Sequence, residues 1–312
     1  MESLGNEDFL VVKKKSRIEV DAVKMDLDWQ KVLDSDIMRL VSERYNHNRE
    51  FIKRNLEAHH ELYDSVEFLH MLGFKEIIER EDFDIKKLEN KKAVISVGGD
   101  NHLIWILDQI EYLGYSVPVI AMNSSVNHST GGLLYDNKDT IEKTLCKCET
   151  GDYRIEEWPK IEGEIEFGGE KIKLFPSAQE YILGEYAGTQ MSRWVLKGEE
   201  QKGNRLIVAN GAGSSSWYSA IHRILFGEKD IFDRTSREIR HIIDGSAGNI
   251  SGYNHLFGRV LDKEVLEVIS YNDSRGAATA DCHEEEHYIF DFPFGSIARL
   301  RVSEKVSKII RR

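Results

Sequence analysis

Cysteine and proline are scarce, with three and four residues among 312. Cys146, Cys148 and Cys282 form an odd set without metal-ligand spacing. A disulfide framework is therefore excluded, and reduced thiols in a cytoplasm are expected. So few prolines leave no Pro-rich linker. Positive charge is also in deficit: 42 Lys+Arg face 54 Asp+Glu, a formal net charge of −12 with a pI near 5.5. Bulk electrostatics of that sign disfavours nucleic acid and anionic lipid as partners. No run approaches the ~18 apolar residues of a membrane span. Met1–Asp8 has neither a basic nor an apolar stretch, so neither a secretory signal nor a transit peptide is expected. The Asn-x-Ser sequons at Asn123, Asn127, Asn249 and Asn272 are then chance matches.

What is present is enough for a core, with 41% hydrophobic and 10% aromatic residues, and a length that predicts about two domains. Phe9–Val12 reads as a strand. Asp36 to Leu72 is helix-rich, with Ile37, Leu40, Val41 and Tyr45 near helical spacing and Gly73 as a stop. Phe74–Ile78 reads as a strand, as does Ala93–Val97, which runs into Gly98-Gly99-Asp100. His102–Tyr112 reads as a helix and Val117–Met122 as the next strand. Strands alternating with helices predict a parallel α/β layer. From Trp158 the runs become short: Ile161–Phe167, a Gly168-Gly169 hairpin turn, Lys171–Phe175, Glu180–Glu185, Arg193–Leu196, Arg205–Ala209, Val265–Ser270, Tyr288–Phe292 and Ile297–Val302. These predict a β-rich second domain, interrupted by the turn 210–216 and the helix Trp217–Phe226. The expected divisions are 1–124 (α/β), 125–290 (β-rich) and 291–312, a segment returning to the first domain.

Two turns have chemistry to offer. At Gly98-Gly99-Asp100, glycines let backbone N–H groups approach an anion at a helix N-terminus, and Asp100 can take a proton from a hydroxyl or hold Mg²⁺. A plain structural turn is the alternative. Asn210-Gly211-Ala212-Gly213-Ser214-Ser215-Ser216 repeats the strand-to-helix pattern with small residues and hydroxyls. It lacks the lysine of a P-loop, and its alternative is a tight turn with Ser214 or Ser215 as N-cap. His283-Glu284-Glu285-Glu286-His287 matches the zinc-protease pattern, which needs a helix. The β-prone run that follows predicts a charged turn or strand; in an extended chain the two His Cα atoms lie about 13 Å apart and share no zinc. Trp158, Trp194 and Trp217 are candidates for stacking on a base, or for core or interface.

The order of these motifs resembles the NAD kinase family, and is most similar to its divergent, mitochondrial-type branch. Gly98-Gly99-Asp100-Asn101-His102 resembles the family's Gly-Gly-Asp-Gly-Thr, Met122-Asn123 its Val-Asn, and Gly131-Gly132-Leu133-Leu134 the Gly-Leu segment after it. Ser177-Ala178-Gln179-Glu180 stands where the family has Ala-x-Asn-Glu. Gly211-Ala212-Gly213-Ser214 resembles Gly-Thr-Gly-Ser, and Asp281-Cys282 a late Asp-Gly. The resemblance spans Phe9 to about Lys308. It implies an α/β N-terminal domain, a β-rich C-terminal domain and a nucleotide site in the cleft between them. It also implies Mg²⁺, ATP or polyphosphate as donor, a homodimer, and phosphoryl transfer to the adenosine ribose 2′-hydroxyl of NAD to give NADP. Asp100 is then the expected general base. Gly98, Gly99, Asn101, His102, Asn123, Gln179, Glu180, Gly211, Gly213, Ser214, Ser215 and Asp281 are the expected nucleotide contacts, and no residue is expected as a dedicated metal ligand. Asn101, His102, Gln179 and Cys282 depart from the family pattern. They leave open a kinase for another sugar, nucleoside or lipid hydroxyl, or a nucleotide-binding protein that does not turn its ligand over.

Overall fold

The computed structural model describes residues 2–186, 190–246, 254–281, 283 and 285–312. It divides into two compact units, one of Met1–Glu156 with Lys308–Arg312, the other of Glu157–Ser307.

The first unit contains β1 (Phe9–Lys13), α1 (Arg17–Lys24), α2 (Ser35–Arg44), α3 (Arg49–Met71), β2 (Ile77–Glu79), α4 (Ile85–Leu88), β3 (Ala93–Gly98), α5 (Asp100–Tyr112), β4 (Val119–Asn123), β5 (Asp136–Asn137) and α6 (Ile141–Thr150). Its strands lie in the order β2-β1-β3-β4 with β5 beyond, all parallel. β1, β3 and β4 are buried along their whole length, as expected of continuous apolar strands covered on both faces. Helix starts follow local chemistry. The Ser16 side chain accepts from the N–H of Glu19 while Glu19 returns to the N–H of Ser16, a capping box that opens α1. Asn48 accepts from the N–H of Phe51 at the head of α3. The chain leaves α3 through Gly73, at φ +98°.

The boundary falls after Glu156, where the sequence reading places it at 124/125. The reason is α6, which buries Ile141, Leu145 and Cys148 in the same cluster as Leu62, Leu69, Ile95 and Ile120. Of the expected returning segment 291–312, only Lys308–Arg312 belongs to the first unit. There Ile309 pairs in parallel with Val119, and Ile310 enters the core.

The second unit is built from β6 (Arg154–Phe167), β7 (Glu170–Lys173), β8 (Glu180–Glu185), β9 (Ser192–Leu196), β10 (Glu199–Gly203), β11 (Arg205–Ala209), α7 (Trp217–Phe226), β12 (Glu238–Asp244), β13 (Phe257–Leu261), β14 (Leu266–Ser270), β15 (Gly276–Ala280), β16 (Ile289–Asp291) and β17 (Ile297–Arg311). One antiparallel sheet runs β13-β12-β11-β8-β15-β16. A second group holds β10-β9-β14-β17, antiparallel, with β6 and β7 attached. The β6–β7 hairpin turns on Gly168 and Gly169, both at positive φ, the geometry of a primed two-residue turn. Leu183, Leu206 and Ile243 from the first sheet meet Trp194, Val268 and Leu300 from the second in one core. α7 covers β11 and β12 through Tyr218 and Ile221. Thus an α/β unit with parallel strands is joined to an antiparallel β-rich unit. Among the described residues, no helix is long and apolar enough to cross a membrane.

Candidate functional site

In the first unit the expected turn forms at the carboxyl end of β3. Gly99 is the N-cap of α5 and Asp100 its first residue. The carboxylate of Asp100 is held on both sides: Gly132 donates its N–H to Oδ2 at 2.9 Å and Leu133 donates to Oδ1 at 2.9 Å. The Gly131–Leu134 segment thereby fixes the direction of the carboxylate, and each oxygen retains a second lone pair. Helix geometry leaves the N–H groups of Asp100 and Asn101 without an intrahelical acceptor, and Asn101 is exposed.

The two glycines have different tasks. A Cβ at Gly98 would lie 2.6 Å from Cδ2 of His102, so this glycine makes room for the imidazole. His102 is buried, and its Nε2 donates to the carbonyl of Val12 at 3.2 Å. Burial pushes its pKa down to about 3, because charging the ring would cost its hydration. The ring thus ties the first turn of α5 to β1, an inward placement where the sequence reading has a phosphate contact. Asn123 shapes the following loop, accepting from the N–H of Ser125 and donating to the carbonyl of Ser129.

In the second unit, Asp281 sits at φ +53° with its carboxylate buried. Oδ1 accepts from Ser177 Oγ and from the N–H groups of Gln179 and Glu180, at 2.9, 2.7 and 2.9 Å; Oδ2 accepts from the N–H of Ala178 at 2.8 Å. Asp281 therefore organises the segment 177–180 that carries Gln179 and Glu180, both buried. Asn210 completes the arrangement. Its Nδ2 donates to the carbonyls of Pro159 and Ala178, and its Oδ1 accepts from the N–H of Gly213.

The small residues of the second turn face the protein, where the sequence reading has them cradling a ligand. A Cβ at Gly211 would overlap the carbonyl of Asp233, and one at Gly213 the carbonyl of Gln179. The Ser214 hydroxyl donates to the carbonyl of Gly211 and accepts from the N–H of Phe232. Ser215, half-buried, donates to the carbonyl of Ala212 at 3.4 Å. Composition alone marks these residues in the sequence, whereas nothing local marks Ser177 as a partner of Asp281 or the N–H pair of Gly132 and Leu133 as partners of Asp100. Gly213→Ala is expected to destabilise the second unit by about 1–3 kcal/mol, the range for overpacking a filled site, read as a lower urea midpoint.

Trp158 and Trp194 are core residues, and Trp194 donates to Gln201 at 3.2 Å. Trp217 is 42% exposed, and the guanidinium of Arg205 lies over its ring at 5.1 Å. Among the described residues of the zinc-protease pattern there is no α-helix: Glu286–Tyr288 is one 3₁₀ turn, and the rings of His283 and His287 both pack on Tyr288. Cys282, Glu284 and Asn249 lie outside the described residues. No protein-family model matches the chain, and no curated protein matches it.

Proposed function

We propose that the chain is a phosphotransferase of the NAD kinase type, moving the terminal phosphoryl group of ATP to the 2′-hydroxyl of the adenosine ribose of NAD. The observation that carries this reading is Asp100: a carboxylate at the first turn of α5, beside two glycines, aimed by two backbone N–H groups. In the proposed reaction the exposed N–H groups of the helix start receive donor phosphate oxygens. Asp100 accepts the proton of the attacking hydroxyl, and ADP leaves with the bridging oxygen. Positioning and charge stabilisation supply most of the acceleration in this chemistry. Gln179 and Glu180, held by Asp281, are the proposed dinucleotide contacts. Mg²⁺ retains much of its water and rides on donor phosphates. That fits a turn whose carboxylate oxygens already accept N–H bonds, so no protein ligand is assigned to it.

The test is incubation of the pure protein with MgATP or polyphosphate and NAD, with NADP as the readout. Asp100→Asn is expected to lower turnover at least about a hundredfold, the scale of a lost general base. An unchanged rate removes that role from Asp100. If wild-type protein forms no NADP, NAD is excluded as acceptor, and transfer to a panel of sugar and nucleoside hydroxyls becomes the deciding measurement. His102 favours a second reading, nucleotide binding without turnover, because a buried neutral ring stands where the resembling motif has a hydroxyl. Calorimetry showing tight NAD or ADP binding without product over hours would support it.

A further inference from the structure

Lys13, Lys14 and Lys15 look alike in sequence, but the end of β1 gives them different surroundings. Lys13 pairs with Glu79 at 2.5 Å and Lys15 with Glu81 at 2.6 Å. Lys14, between them, has no hydrogen-bond or ion-pair partner among the described residues, although it is half-buried. Its main-chain N–H donates to the carbonyl of Val97 at 3.2 Å, which places it beside the end of β3. A Cβ at Gly99 would stand 3.9 Å from Lys14 Nζ and 3.7 Å from the hydroxyl of Ser129, ordinary contact distances, so the ammonium and that hydroxyl both lie beside the Gly99 backbone. The strand order adds an independent reason. From β1 the chain passes to β2 on one side and then to β3 on the other. The carboxyl ends of β1 and β3 therefore flank a topological switch point, the place where open α/β sheets bind ligands.

We propose that Lys14 is the cation that binds the polyphosphate of the phosphoryl donor at the Gly99 turn, with Ser129 as a hydroxyl donor to the same oxygens. This rests on the phosphotransfer reading for its substrate, though not for the anion site itself. A partly desolvated ammonium without a carboxylate has more to gain from an anion than an exposed one. Burial also lowers the pKa of Lys14, in keeping with a charge that lacks a protein counter-ion.

The experiment compares wild type, Lys14→Met and Lys14→Arg in two assays. In calorimetry with tripolyphosphate alone, Lys14→Met is expected to bind at least about tenfold more weakly, the loss for one charge-assisted contact, and Lys14→Arg to recover much of the affinity. In phosphotransfer, Lys14→Met is expected to raise KM for ATP at least about tenfold while KM for the acceptor stays put. The ligand-free urea midpoint is expected to hold in both variants, since the Lys14 ammonium has no hydrogen bond or ion pair among the described residues to lose, and Met and Arg keep a long side chain to fill its half-buried place. Equal tripolyphosphate binding by wild type and Lys14→Met, or no binding by wild type at millimolar concentration, overturns the proposal. Lys14-dependent binding without phosphotransfer to any hydroxyl keeps the proposal and overturns the phosphotransfer reading. Phosphotransfer with an unchanged KM for ATP in Lys14→Met does the reverse.

Discussion

Asp281→Ala is expected to lower the unfolding free energy of the second unit by about 3–5 kcal/mol, the range for removing one partner from a buried charged network. The substitution takes the acceptor from four donors at once: Ser177 Oγ and the N–H groups of Ala178, Gln179 and Glu180. A buried donor left without a partner costs about 1–3 kcal/mol, and partial rearrangement of the segment keeps the total below the simple sum. Asp281→Asn isolates the cause. Asparagine tolerates the left-handed backbone at φ +53°, and its carbonyl can keep the place of Oδ1, so about half the loss is expected. Hydrogen exchange gives the local readout: the amides of 178–180 should exchange faster in Asp281→Ala and nearly as in wild type in Asp281→Asn. A loss below about 1 kcal/mol would mean that the segment holds its shape by other means, since that is the size of an ordinary single hydrogen bond. The same variant bears on the proposed function, because the bonds it removes carry Gln179 and Glu180, the proposed dinucleotide contacts.

Such a network was only half legible in the sequence. The strand-to-turn step at Gly98-Gly99-Asp100 could be read because an uninterrupted apolar run, a glycine pair and a helix start are local signals. So could the hairpin at Gly168-Gly169 and the strand Glu180–Glu185. The direction in which a residue without a side chain faces is a tertiary fact. Gly211 and Gly213 look the same in sequence as ligand-facing glycines, yet the carbonyls of Asp233 and Gln179 occupy the space that a Cβ would need. β15 escaped notice because Gly276-Ala277-Ala278-Thr279-Ala280 carries little β signature. Its small residues are there for close approach, and a Cβ at Gly276 would meet the carbonyl of Phe292. β12 was hidden by His241, a polar residue at a fully buried position. The boundary after Glu156 was missed because the helical spacing of Ile141, Leu145 and Cys148 follows a polar stretch that looks like a linker.

The buried histidines give the second large expectation: acid should weaken each unit well before its carboxylates are neutralised. His102 lies in the first unit and His241 in the second. Burial pushes their pKa values from 6.5 down to about 3 and about 4. His241 has no partner for either ring nitrogen among the described residues, so nothing offsets the hydration that its charged form would lose. Above pH 6.5 both folded and unfolded rings are neutral, and stability is at its full value. Below it the unfolded chain takes up a proton that the folded chain refuses, so the unfolding free energy falls by about 1.4 kcal/mol per pH unit for each histidine. The fall continues until about pH 4 for His241 and about pH 3 for His102. At pH 5 each unit is then expected to have lost about 2 kcal/mol from this source alone. Carboxylates titrate in part of the same range, and comparison of variants removes them. His241→Leu replaces the ring with an apolar side chain of similar volume, and His102→Gln keeps an N–H for the carbonyl of Val12. In urea titrations from pH 7.5 to 5, each variant should gain on wild type by about 1.4 kcal/mol per pH unit below 6.5, each in its own unit. A difference between variant and wild type that does not change with pH would mean that the ring is protonated in the folded chain, and hence that water or a counter-ion reaches it.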